Sequence, residues 1–257
     1  MAQAQALLVE KGARGVCTLT LNRPERRNTL DGLLTQRLIE ELRALQRDRA
    51  VRVVILTAAG SVFCGGADLE GMGDNPRGRA IRGAALLLAE LMHGLACLDK
   101  PVIARVNGSA YGGGVGLVAC CDIAVAQASA SFVFSEARLG IAPVVIAPYV
   151  IQAIGQRQAK RYFLSGEPIS SVEAERIGLV HRAVEEAHLD ETVAQQAAYV
   201  LRGGTVALRE CKTLAGQWPN EEQRAQAAAQ LAKLCQGSEG REGIAAFLEK
   251  RKPQWPA

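Results

Sequence analysis

An α/β fold built on parallel strands follows from three features of the sequence. Short apolar runs rich in β-branched residues occupy 51–57 and 101–106, glycine-rich turns follow them, and amphipathic stretches of helical spacing lie between. Parallel neighbours need a crossover of a dozen or more residues, and an amphipathic helix supplies one. In chain order, residues 16–21 alternate apolar and polar side chains as a strand does, and Asn22-Arg23-Pro24-Glu25 punctuates it. Leu33, Leu34, Leu38, Ile39, Leu42 and Leu45 then recur at helical spacing. The run 51–57 reads as a buried strand that ends in the turn leading to Phe63-Cys64-Gly65-Gly66. The stretch 80–98 is a helix returning the chain to a third strand at 101–106. Asn107-Gly108 closes that strand, Gly112-Gly113-Gly114 follows, 115–121 is an apolar helix, and 122–126 is a further strand. From about Gly155 onward the pattern is mostly helical, with 170–177 and 222–235 the clearest segments. The division expected is an α/β core over residues 1–195 and a helical region over 196–257 that folds back or makes subunit contacts. No internal repeat or low-complexity linker is visible.

Composition narrows the class. With 257 residues, 49% apolar and 22% charged, the chain can bury one large core. A net charge of +4 with scattered Lys and Arg and 4% aromatic content argues against a nucleic-acid stacking surface and suits an anionic small ligand. Seven cysteines, Cys17, Cys64, Cys97, Cys120, Cys121, Cys211 and Cys235, lack disulfide or zinc spacing and read as reduced thiols. His93, His181 and His188 do not have the spacing of a ligand cluster, so no metal is expected. No secretory leader and no run of about 18 apolar residues stands in the sequence. A cytoplasmic protein that neither spans nor binds a membrane is expected.

The chemistry lies in the two glycine turns. Each follows a strand, and the second enters a helix whose first N–H groups lack acceptors and whose dipole favours negative charge. Either turn alone could be a tight chain crossing that excludes a Cβ; two in one core point to a site for an oxyanion. Gly112-Gly113-Gly114 lacks both the Lys-Ser/Thr ending of a phosphate-binding loop and the spacing of a dinucleotide fingerprint.

Leu21-Asn22-Arg23-Pro24, Phe63-Cys64-Gly65-Gly66-Ala67-Asp68-Leu69, Lys100-Pro101-Val102-Ile103-Ala104, Asn107-Gly108-Ser109-Ala110-Tyr111-Gly112-Gly113-Gly114, Cys121-Asp122 and Glu136-Ala137-Arg138-Leu139-Gly140 together closely resemble the enoyl-CoA hydratase/isomerase, or crotonase, superfamily over nearly the whole chain. The resemblance implies a spiral of ββα units, a helical trimerisation region, usually a dimer of trimers, and an acyl-CoA ligand with no further cofactor. Motif alignment places the oxyanion-hole N–H groups on Ala67 and Gly113. Two such preorganised donors would stabilise the enolate oxygen of a thioester by about 3 to 4 kcal/mol each. Arg26 and Arg27 fall where the family meets the CoA phosphates and adenine. Around these groups Cys64, Gly66, Asp68, Tyr111, Gly112, Gly116, Ser135 and Arg138 are expected to border the substrate.

Well-known hydratases of the family carry two glutamates, and here the first position is Gly116 and the second Glu136. A single carboxylate must both activate water and return the proton, or else perform only a proton shuttle. Three outcomes fit: a one-glutamate hydratase, a double-bond isomerase, or a noncatalytic or RNA-binding relative. Residues 111–117, 120–122 and 134–150 look like a bacterial branch associated with 3-methylglutaconyl-CoA and isohexenylglutaconyl-CoA hydration. Reversible hydration of a branched 2-enoyl-CoA bearing a distal carboxylate is therefore the expectation. Loss of a carboxylate at Gly116 would leave room for a β-substituent, and Val144-Val145-Ile146-Ala147 would reshape the acyl pocket. Arg138 or Arg105 would receive the distal carboxylate, and Tyr111 and Ser135 would hydrogen-bond water near Glu136. Asp68 reads as a cap of the helix after it, Asp122 as structural, and Cys64 lacks the neighbouring histidine a nucleophile needs.

Overall fold

In β2 (Val16–Leu21) the alternation has a direct structural result: Cys17, Leu19 and Leu21 are buried while Val16, Thr18 and Thr20 are partly exposed. The computed structural model describes residues 5–68, 78–216 and 220–254. β1 (Leu7–Lys11) pairs antiparallel with β2, and β2 lies parallel to β3 (Val53–Ala58). The strands β5 (Val102–Val106), β7 (Ile123–Gln127) and β10 (Arg182–Val184) continue this sheet in the order β1-β2-β3-β5-β7-β10. A second sheet has the order β4-β6-β8-β9, from β4 (Val62–Cys64), β6 (Ser109–Tyr111), β8 (Ser131–Val133) and β9 (Ile169–Ser170).

Each advance of the chain gives one strand to each sheet and then a helix. β3 and β4 precede α2 (Gly78–Ala96), β5 and β6 precede α3 (Gly113–Cys120), and β7 and β8 lead to α4 (Ala147–Ser165). This is the ββα spiral that the resemblance implies; the parallel crossovers expected from the sequence run through the larger sheet, and the second sheet is added to them. The strands of the second sheet are two or three residues long, too short for a period-two pattern to register. The central strands β3, β5 and β7 are covered on both faces, which is why their sequences are almost continuously apolar. One face holds the main core with Phe63, Phe132, Phe134, Tyr149 and Tyr162. On the other, Val53, Ile103 and Val125 meet Leu189, Val193 and Ala197 of α6 (Glu186–Val200).

α1 (Gly32–Arg47) starts where Asp31 Oδ1 accepts the Leu34 N–H at 2.9 Å; satisfying such an orphan donor stabilises a helix start by about 1 kcal/mol. α5 (Ser171–Ile177) is capped in the same way by Ser170. A boundary between residues 195 and 196 would fall inside α6, whose apolar face is committed to the sheet, so the helical region begins after it. That region comprises α7 (Thr205–Ala215), α8 (Glu221–Gln236) and α9 (Ser238–Leu248). It folds back: α8 packs along α2, and α9 packs on the 3-10 turn Glu136–Leu139. No helix among the described residues is long and apolar enough to cross a membrane.

Candidate active site

β4 and β6 are parallel neighbours, pairing Val62 with Ser109 and Cys64 with Ala110, so their carboxyl ends open side by side. The turn after β4 carries Gly65, Gly66 and Ala67; the turn after β6 carries Gly112 and leads into α3. Gly66 has φ +92, and a Cβ there would lie 2.8 Å from the Tyr111 carbonyl oxygen. Only glycine allows the two turns to cross this closely. The Leu30 N–H donates to Gly66 O at 2.8 Å and the Asp68 N–H to Leu30 O at 3.3 Å, so the Ala67 N–H is left off this ladder. Gly113 is the first residue of α3, where N–H groups have no intrahelical acceptor. A Cβ built on Gly113 would sit 3.6 Å from the Ala67 nitrogen. The Ala67 and Gly113 backbones therefore approach each other closely at a helix N-terminus, a place that favours negative charge.

Glu136 opens the 3-10 turn after β8 and meets the same crossing. A Cβ on Gly112 would lie 3.0 Å from Glu136 Oε1, and Gly112, at φ +46, donates its own N–H to Val133 O at 2.9 Å. Glu136 Oε2 is buried without a hydrogen-bond partner among the described residues. Burial pushes the carboxyl up to about 7, opposed by its own backbone N–H. The turn is held from behind by the Ile141 N–H on Glu136 O at 3.1 Å and by Phe134 packed edge-on against Phe163 at 4.9 Å.

Beyond Glu136 and the two turns lies a cavity of about 60 Å³ walled by Leu88, Leu139, Ile141, Val144, Ile146 and Leu231. It shares Gly65, Ala67, Ser135 and Leu139 with an outer groove of about 630 Å³. Arg26, Arg27, Tyr111, Arg138, Phe247 and Arg251 line that groove. Arg26 is 3.6 Å from Asp31 and 3.8 Å from Asp68, and the Arg27 guanidinium stands over the Tyr111 ring at 4.9 Å. Cationic groups thus face the groove while the inner cavity is hydrocarbon around one carboxyl.

Of the residues expected from sequence, Gly66, Ala67, Gly112, Gly113, Ser135 and Glu136 converge on the inner cavity. Arg26, Arg27, Asp68, Tyr111 and Arg138 line the outer groove, which Ser135 shares with the inner cavity. Cys64 is fully buried with its thiol donating to Asn28 O at 3.2 Å, and burial pushes that thiol up to about 12. It packs behind the turn and lines neither space, which corrects its placement at the substrate.

Gly116 is also displaced from its expected role. Its bare Cα is covered by Ile146: a Cβ there would lie 2.9 Å from Ile146 Cβ and closer still to Cγ2. The room expected for a β-substituent is already filled. Arg105 is turned away, its Nε donating to Asp190 at 2.5 Å. The helix that Asp68 was expected to cap, and Leu69 at the end of the same motif, lie outside the described residues.

Asp122 is structural as expected, accepting the Val102 N–H at 2.7 Å and Lys212 Nζ at 2.8 Å. All seven cysteines are free, and among the described residues no group of three or more His, Cys, Asp or Glu could hold a metal.

Sequence reasoning missed several residues. Asn28, fully buried at φ +53, donates to Ala59 O at 2.9 Å and Val62 O at 2.8 Å while its Oδ1 accepts the Arg23 N–H at 2.8 Å. It staples the arginine segment to β4, and its signal was an asparagine in a Pro-Glu-Arg-Arg-Asn turn, a residue that tolerates the left-handed region. Asp31 pairs with both Arg23 and Arg26. Leu231 and Phe247, from the folded-back C-terminal helices, and Arg251, just after the last of them, carry no local signal.

The sequence pattern described as enoyl-CoA hydratase/isomerase matches residues 11–257. The mevalonyl-coenzyme A hydratase of Aspergillus fumigatus is 38% identical, over 98% of this chain and 95% of that protein. The 2,3-dehydroadipyl-CoA hydratase of Escherichia coli is 34% identical, over 97% of this chain and 98% of that protein. Among solved structures, an enoyl-CoA hydratase from Mycobacterium avium superposes with a TM-score of 0.86 at 36% identity, covering 99% of this chain and 100% of the other.

Proposed function

The chain belongs to the enoyl-CoA hydratase/isomerase family as an enzyme of the acyl-CoA hydratase kind, and from that premise we propose that it adds water reversibly to a 2-enoyl-CoA through one carboxyl group, Glu136. The observation that carries this is a carboxyl group, Glu136, buried with an oxygen unpartnered among the described residues against Gly112 where the two glycine turns cross; its burial pushes it up to about 7. In the proposed reaction ionised Glu136 takes a proton from water as the oxygen attacks the β-carbon. The π electrons move onto the thioester oxygen, where Ala67 N–H and Gly113 N–H receive the enolate. Glu136 then delivers the same proton to the α-carbon, so one water adds across one double bond. A group near neutral pKa suits both halves of this cycle. CoA is part of the substrate, and its phosphates fit the cationic groove with Arg26 and Arg27.

For the acyl group, the apolar wall supports a hydrocarbon tail. No described residue lining the inner cavity is cationic. An ester of the 3-methylglutaconyl or isohexenylglutaconyl type, favoured by the sequence, would have to turn its carboxylate outward to Arg138 in the groove. Rates with crotonyl-CoA, these two esters and 2,3-dehydroadipyl-CoA test this; faster turnover of the carboxylated esters would favour the outward carboxylate on Arg138 and overturn the apolar reading.

A second reading, double-bond isomerisation, is favoured by the covering of Gly116, since one base is enough to move a proton between carbons. Solvent oxygen-18 entering the product from a 2-enoyl-CoA supports hydration; conversion of a 3-enoyl-CoA without oxygen uptake supports the isomerase.

Self-association as a trimer or dimer of trimers is part of the proposal. It is supported by α7, which has no buried residue and holds Val206 and Leu214 65% and 87% exposed. Mass photometry checks it, and a monomer at micromolar concentration would contradict it.

A further inference from the structure

We propose that Ile146 is the specificity-determining residue of the inner cavity, a plug seated on Gly116 that ends the acyl site and restricts it to short acyl groups. The inference rests on the reading of that cavity as the acyl site. Ile146 has two contacts that matter: one side of it walls the cavity beside Val144, and it also covers Gly116 on α3. A Cβ at position 116 would meet Ile146 Cβ at 2.9 Å, its Cγ2 closer still, and Met92 Sδ at 3.2 Å.

Neither backbone can withdraw cheaply. All eight residues of α3 are buried, and the Gly116 N–H is bonded to Gly112 O at 3.2 Å, tying it to the oxyanion turn. Ile146 is the N-cap residue of α4, and its carbonyl accepts the N–H groups of Tyr149 and Val150, both at 3.1 Å. The depth of the cavity at this end is therefore set by side-chain volume at 146, which in turn is permitted only by the absence of a side chain at 116. Met92 also borders Gly116, and Cys120 touches Met92 at 3.6 Å between sulfurs. These polarizable side chains would line an extension suited to a longer hydrocarbon tail.

The two positions are thus coupled, and their coupling is measurable by binding alone. Saturated butanoyl-, hexanoyl- and octanoyl-CoA, which cannot be hydrated, are titrated calorimetrically into the wild type, Ile146→Ala, Gly116→Ala and the double variant. Hydration of the matching 2-enoyl esters is measured in parallel. Wild type is expected to prefer butanoyl- over octanoyl-CoA by about tenfold or more, the scale on which a pocket discriminates by methylene groups. Ile146→Ala should reverse that order. Gly116→Ala should weaken butanoyl-CoA by about tenfold by driving Ile146 into the cavity, and the double variant should restore it to within about threefold.

A folded Ile146→Ala with unchanged chain-length preference, or two single effects that simply multiply in the double variant, overturns the proposal. Should Ile146→Ala fail to give a cooperative melt, Ile146→Val, which removes only Cδ1, must shift the preference in the same direction, and an unchanged preference there overturns it equally. Chain-length control by residue 146 without any hydration would leave the plug standing and sink the hydratase reading. Hydration without such control would do the reverse.

Discussion

Burial pushes the Glu136 carboxyl up to about 7, a range in which it can accept a proton from water and later return it without a second acid. Glu136→Gln keeps the shape and removes the proton traffic. Its kcat/KM for hydration should fall by about a hundred- to ten-thousandfold with CoA-ester affinity preserved. In the wild type, kcat/KM for hydration should rise with pH to a plateau above about 7, and this limb should vanish in the variant.

The same burial has a stability consequence. The folded state holds the Glu136 proton up to about 7, whereas the unfolded chain releases it near 4.5. Folding is therefore favoured by the proton below 4.5, and the advantage is lost as pH rises through that window to about 7. At about 1.4 kcal/mol per pH unit, wild type should be less stable than Glu136→Gln by about 3 kcal/mol at pH 8 and equal to it at pH 4. Denaturant titrations at the two pH values read this directly.

The identity of Glu136 was legible from its motif. Its environment was not, because the walls come from Leu88 on α2, Ile146 before α4 and Leu231 on α8. Cys64 was misplaced for the same reason: adjacency to Gly65 and Gly66 in sequence does not tell which side of the strand end a side chain takes.

At the level of elements, the site is a crossing of two strand-to-helix turns. Gly66→Ala would put a Cβ 2.8 Å from Tyr111 O in a conformation that L-residues disfavour. The turn would have to shift and carry the Ala67 N–H with it. A fall in kcat of about a hundredfold is expected, with groove affinity for CoA itself unchanged, because losing one aligned oxyanion donor is worth that much. Steady-state kinetics and CoA titration together check it; a variant that loses CoA affinity and keeps kcat would show the turn to be a binding element only.

The glycines and the long strands β3 and β5 stood out in the sequence because their signals are local. β4, β6 and β8 did not, since three residues each are less than two periods of any pattern. Yet these short strands make the second sheet, and it is the β4–β6 pairing that brings the two turns together.

Across the whole molecule, the C-terminal helices complete what the spiral begins. α8 gives Leu231 to the inner cavity, and α9 gives Phe247 to the groove. α7 is tied to the sheet through Lys212 and Asp122, with side chains only 11% and 25% exposed. Asp122→Ala would strand the Val102 N–H and leave the Lys212 ammonium without its counter-charge, with only the Lys100 carbonyl among the described residues to accept from it. A loss of about 2 to 4 kcal/mol in unfolding free energy is expected, from the cost of leaving a buried charge and donor unpaired.

The helical character of this region could be read from its periodicity. Its docking could not, because contacts such as that of α8 with α2 join residues far apart in the chain.

The central claim is that Glu136 adds water across the double bond of a CoA ester bound at the two turns. Crotonyl-CoA incubated with the enzyme in oxygen-18 water should lose its conjugated-thioester absorbance and yield 3-hydroxybutanoyl-CoA carrying one labelled oxygen, with Glu136→Gln giving neither change. Labelled product formed at an undiminished rate by Glu136→Gln, or absorbance lost without label uptake, would contradict it.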